Sequence, residues 1–146
     1  MSNLNNETIL KHLQQLGYEH IVKFKDDTFG KYGVKFTNTV NGKEHNNFCS
    51  FACLEHILVG VMRCTFTNLK NKHRARFMYL NNLFSINVGP TGSLFIEGDT
   101  LWMQFSLPVT SNVPSDIISA FIQQAVDDAN TYLQDYYYPN LDKILE

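Results

Sequence analysis

The stretch at residues 57–66, ILVGVMRCTF, does most to limit how this chain can fold. At strand spacing, Ile57, Val59 and Val61 point one way, and Leu58, Met62, Cys64 and Phe66 point the other. Both faces are therefore apolar. A strand in an antiparallel sheet with one solvated face alternates apolar and polar residues instead. Something must cover the second face: a further layer of the fold, a second copy of the chain, or a partner. An internal layer, such as a long helix, and a docking interface account for it equally well.

The rest of the chain supplies the layers. Ile9, Leu10, Leu13 and Leu16 recur at helical spacing. Asn6 is the expected N-cap of that helix, Glu7 lies in its first turn, and Gly17 ends it. Strands are expected over 20–25, with Val22 and Phe24 sharing a face, and over 33–38, with Val34 and Phe36 sharing one. A turn is expected between them at 26–30, and Asn41-Gly42 is a strong hairpin signal before a return strand over 44–51. A second helix is expected over 72–84, with Ala75, Met78, Tyr79 and Leu83 inward. Pro90 and Gly92 mark a turn. Strands follow over 93–97 and 100–107, joined by Gly98-Asp99. In the last, Leu101, Met103, Phe105 and Leu107 share one face, and Trp102, Gln104 and Ser106 the other. Pro108 stops the sheet. A helix over 115–137 then carries a wide apolar face that includes Ile117, Ile118, Phe121 and Ile122, and Pro139 ends it. The order α-β-β-β(-β)-α-β-β-α implies an α+β domain over 1–146, an antiparallel sheet with helices packed on one face.

Composition narrows the function. The chain has 146 residues, a size that suits one domain. Its formal net charge is −2, whereas a dedicated nucleic-acid binder is more basic. Nucleic acid is accordingly an unfavoured partner. Three cysteines, an odd count, argue against a disulfide framework. The N-terminal MSNLNNETIL has no basic segment followed by an apolar one, and no apolar run approaches about 18 residues. A reducing, cytoplasmic setting without a membrane span is expected.

Candidate chemistry is sparse. His45, Cys49, Cys53 and His56 are of types that suit zinc, but H-x3-C-x3-C-x2-H is not a standard ligand spacing. Half-buried cysteines beside a turn histidine are the commoner arrangement. No local signature supports either cysteine as a nucleophile. Asp26-Asp27 reads as a turn and Asp127-Asp128 as the polar side of the last helix. Neither G-x-x-x-x-G-K nor G-x-G-x-x-G occurs. Lys70, Lys72, Arg74 and Arg76 form the one basic cluster, at the start of the second helix, where cations oppose the helix dipole. A solvated helix edge explains it better than an anion site, because no exposed aromatics interleave it.

The second half of the chain carries a resemblance. Leu80-Asn81, Asn87, Ser93-Leu94-Phe95-Ile96, the run from Leu101 to Pro108, and Tyr137-Tyr138-Pro139-Asn140-Leu141 resemble the YbjN family over about residues 70–141. Its members carry the label of bacterial sensory transduction regulators. The resemblance implies a fold similar to that of type III secretion chaperones of the Tir-chaperone kind. Those are small α+β homodimers that hold extended client segments. This chain departs from them in being nearly balanced in charge rather than strongly acidic.

Together these readings lead to the expectation of a non-enzymatic protein-binding or chaperone-like regulator of bacterial type, a homodimer without cofactor or metal. It would hold a client segment through a sheet face or groove. Leu58, Met62, Phe95 and Trp102 are the expected partner or dimer contacts. The alternative is a regulator docking nucleic acid or an acidic partner through Lys70, Lys72, Arg74 and Arg76.

Overall fold

The computed structural model describes residues 4–25, 30–65, 70–88, 92–109 and 113–141. The elements are α1 (Asn6–Gln15), β1 (Ile21–Lys23), β2 (Tyr32–Val40), β3 (Lys43–Leu54), β4 (Ile57–Thr65), α2 (Asn71–Val88), β5 (Ser93–Glu97), β6 (Thr100–Pro108) and α3 (Ser115–Thr131). A π-helical turn (Tyr132–Tyr137) and a 3₁₀ turn (Tyr138–Asn140) continue α3. The strands form one sheet in the order β1-β2-β3-β4-β6-β5, and every neighbouring pair is antiparallel. This is the expected α+β architecture, with four strands between α1 and α2.

Local chemistry sets the boundaries. Asn41 and Gly42 take φ of 51° and 77°, the positive values that a two-residue type I′ hairpin demands. Gly17, at φ 82°, follows the end of α1. The N-cap of α1 is Asn5, not Asn6: its side chain accepts from the Thr8 amide while the Thr8 hydroxyl accepts from the Asn5 amide. Threonine here plays the part that a capping box gives to glutamate or glutamine.

Tyr32, Val34, Cys49, Phe51, Leu58, Met62, Leu101, Met103 and Phe105 line the covered face of the sheet and are buried. Against them pack Ile9 and Leu13 of α1 and Ile118, Ile122, Ala125 and Ala129 of α3. Large side chains buried this fully each stabilise the fold by roughly 1.5–3 kcal/mol. The helical layer thus accounts for one of the two apolar faces of β4, and the other points away from it.

Helix faces differ from expectation in three places. In α2 the inward residues are His73, Phe77, Leu80, Asn81 and Phe84, while Met78 and Tyr79 are exposed. Ala75 is exposed as well, and Leu83 is half-buried. Two polar side chains on the inward face conceal its stripe. In α3, Ile117 is exposed. Asp128, expected on the solvated side, is buried and accepts from Gln124 Nε2 at 3.0 Å. The expected turn at 26–30 lies outside the described residues except for Gly30, as do Phe66 and Pro90.

Candidate functional site

The second face of the sheet carries no helix among the described residues. Its centre is aromatic. Phe95 and Trp102 are register partners on β5 and β6, and their rings stack at 6.2 Å with planes 9° apart. Arg63, opposite Trp102 on β4, lays its guanidinium 5.7 Å from the indole centroid. Cation–π contacts of this kind contribute about 0.5–1 kcal/mol at exposed sites. Beyond them the patch continues through Val59 to Ile57 and Leu54, and Ile57, Leu54 and Phe95 are 42%, 57% and 37% exposed. Few charges interrupt it.

Next to the patch the sheet splits. β3 and β4 pair from Leu54–Ile57 only as far as Cys49–Met62, yet β3 extends back to Lys43 and β4 onward to Thr65. In the opening sits the buried amide of Asn47, whose Nδ2 donates to the Arg63 carbonyl at 3.4 Å and to Cys64 Sγ at 3.3 Å. Tyr138 donates its hydroxyl to Asn47 Oδ1 from the helical side. Side-chain bonds thus replace the missing ladder. The split and the chain around Phe24, Lys25 and Gly30 enclose a pocket of about 520 Å³. Phe24 and Phe48 meet edge to face at 5.5 Å on its wall. Gly30 lies against the Phe51 backbone, where a Cβ would come within 2.3 Å of the carbonyl oxygen, and its φ of 115° belongs to glycine.

Behind the split the tyrosines of the π turn form a layer between sheet and α2. Tyr132 stacks on Tyr136, Phe84 meets both edge-on, and Tyr137 stacks on Phe77. Tyr132 donates to Asn81 Oδ1 at 2.9 Å. Tyr137 and Cys64 hydrogen-bond through their side chains. Burial pushes the thiols of Cys49 and Cys64 up to about 12, and raises the Tyr132, Tyr137 and Tyr138 hydroxyls. These groups stay protonated at neutral pH and serve as packing and hydrogen-bonding groups, since a thiol must ionise to act as a nucleophile.

The expected site residues divide. Phe95 and Trp102 lie on the uncovered face. Leu58 and Met62 do not: both are 0% exposed beneath the helices, because their parity on β4 turns them into the core. They are packing residues, and Ile57 and Val59 take their place on the surface. Cys49 is buried on the covered face, Cys53 is half-buried, and His56 lies exposed in the β3–β4 turn. His45 faces Tyr138, with ring centroids 6.2 Å apart. Among the described residues, no group of three His, Cys, Asp or Glu is placed to hold a metal. Of the basic cluster, Lys70, Lys72 and Arg76 are exposed. Arg74 instead reaches the β5–β6 hairpin, donating to the Gly98 carbonyl and pairing with Asp99 at 3.2 Å. Asn47 and Arg63 went unflagged in the sequence, and Tyr137-Tyr138 entered only through the resemblance. A lone asparagine on the apolar face that holds Cys49 and Phe51 was the available signal.

No protein-family model matches the chain, and no curated protein matches it in sequence. Among solved structures, its fold is similar to that of YbjN from E. coli, described as "a putative transcription regulator". The TM-score is 0.56 at 12% identity, covering 94% of this chain and 92% of that one. The chain therefore has a YbjN-like fold. No helix among the described residues is long and apolar enough to cross a membrane.

Proposed function

We propose that this protein is a non-enzymatic, regulatory protein-binding domain, and that the uncovered sheet face is the surface with which it grips its partners, a second copy of itself first. The single observation that carries this is the apolar patch around Phe95 and Trp102, which no helix among the described residues covers. The patch is also self-complementary in charge. Arg63 and Glu97 flank Trp102 on the same face, an arrangement compatible with opposite charges meeting across a twofold axis. The fold likeness to a protein described as a regulator supports the same reading. The secretion-chaperone-like fold that the sequence resemblance implies adds the idea of holding an extended client segment on such a face.

Docking of nucleic acid or an acidic partner through α2 has less behind it, since Arg74 is engaged by the hairpin. Trp102 is the single tryptophan of the chain and sits in the patch, so it reports its own burial. Its emission is expected to shift to the red as the protein is diluted through the association range. Phe95→Lys is expected to show the red-shifted spectrum at every concentration while keeping its far-ultraviolet circular dichroism. Emission independent of concentration, in the natural chain and in Phe95→Lys alike, would rule out pairing through this face.

A further inference from the structure

We propose that Cys64 and Met62 form a binding site for a soft monovalent metal ion, Cu(I), on the covered side of the β3–β4 split. This goes beyond pairing through the uncovered face and does not rest on it. Sulfur is concentrated here. Cys49, Met62 and Met103 are register partners in one row across β3, β4 and β6, and Cys64 stands beside Met62 on β4. All four residues are buried. The Cys64 thiol points its proton at the Met62 thioether, with the sulfurs 3.6 Å apart. A thiolate and a thioether together are the ligand types that select Cu(I).

The proton between the two sulfurs holds the place that the metal takes. On binding, the Cys64 S–H bond breaks, the proton leaves to solvent, and copper bonds to the sulfur with Met62 as the second ligand. One positive charge replaces another, so no net charge is added to an interior where an unpaired charge is costly. Zn(II) on the same pair would leave a positive charge buried. Nor do three His, Cys, Asp or Glu converge among the described residues to complete a tetrahedral zinc site. The sulfur that loses its proton already has donors aimed at it. Asn47 Nδ2 lies 3.3 Å away, and the Tyr137 hydroxyl bonds to the same atom. A thiol that only packs needs neither donor. For a metal ligand, such partners fix its orientation and favour its deprotonated form. Met62 is unbranched and flexible, so its sulfur can draw back to admit an ion.

The test is an anaerobic titration of the full-length chain with Cu(I) in competition with bicinchoninate, whose copper complex is coloured. Cys53→Ala is the background throughout, because that half-buried thiol is open to copper on its own account. The chain is expected to withdraw one copper from bicinchoninate, to gain thiolate-to-copper absorption in the ultraviolet, and to release one proton per copper. Zn(II) is expected to produce none of these. Cys64→Ser is expected to abolish uptake. Met62→Leu, which keeps the volume of the side chain, is expected to weaken it at least roughly tenfold. Tyr137→Phe keeps the ring and removes the donor, with an expected loss of roughly tenfold. These last two carry the test if Cys64→Ser does not fold. Failure of the Cys53→Ala chain to take copper from bicinchoninate would overturn the proposal, as would uptake that Cys64→Ser or Met62→Leu leaves undiminished. Equal uptake of Zn(II) would overturn the assignment to a monovalent ion. Every substituted residue lies away from the uncovered face, so failure here leaves pairing through that face standing.

Discussion

Asn47 holds more of this structure than its size suggests. It is buried where two central strands part, and its amide answers a hydroxyl, a thiol and a backbone carbonyl. Asn47→Ala leaves the Tyr138 hydroxyl and the Arg63 carbonyl without that partner, so a loss of about 1–3 kcal/mol is expected by chemical denaturation. The buried thiols and phenols make a second prediction. Between the ordinary thiol value of 9.0 and about 12, the unfolded chain has lost the protons of Cys49 and Cys64 while the folded chain keeps them. Tyr18, raised to about 12, acts the same way above 10.0. Unfolding then releases protons, so stability is full below pH 9.0 and falls as the pH rises towards 12. Denaturation midpoints at several alkaline pH values check this. A flat profile through that range would show that these groups ionise in place.

The elements were largely legible, because their signals are local. Alternation placed β5 and β6, Asn41-Gly42 placed a hairpin, and the apolar run of β4 marked it as central. What was hidden depends on contacts distant in sequence. The inward face of α2 includes His73 and Asn81, and Asn81 is inward because Tyr132, far along the chain, donates to it. The basic cluster likewise could not be read alone. Arg74 ties the start of α2 to the β5–β6 hairpin through Asp99 and the Gly98 carbonyl. The pair is partly exposed, so Arg74→Ala is expected to cost under about 1 kcal/mol globally. Its clearer effect is expected in amide exchange, faster in residues 93–100 and unchanged in β2 and β3. Uniform exchange would show that the ion pair does not hold the hairpin.

At the scale of the whole molecule, the two-sided β4 is the thread from sequence to function. One side lies under the helices, which is why Leu58 and Met62 belong to the core. The other side, with Ile57, Val59 and the Phe95–Trp102 stack, carries no helix among the described residues, although Val61 and Ser50 on it are buried. Sequence alone left these two outcomes equal because parity says that faces differ but not which one a helix takes. The split between β3 and β4 was not legible at all, since equal strand patterns do not reveal where pairing stops. The mass of the protein in solution, followed by light scattering over a concentration series, tests the uncovered face most directly. The account predicts a species of twice 16.8 kDa for the natural chain and 16.8 kDa for Phe95→Lys. A natural chain that remains at 16.8 kDa at every concentration, or a dimer that Phe95→Lys leaves intact, would contradict it.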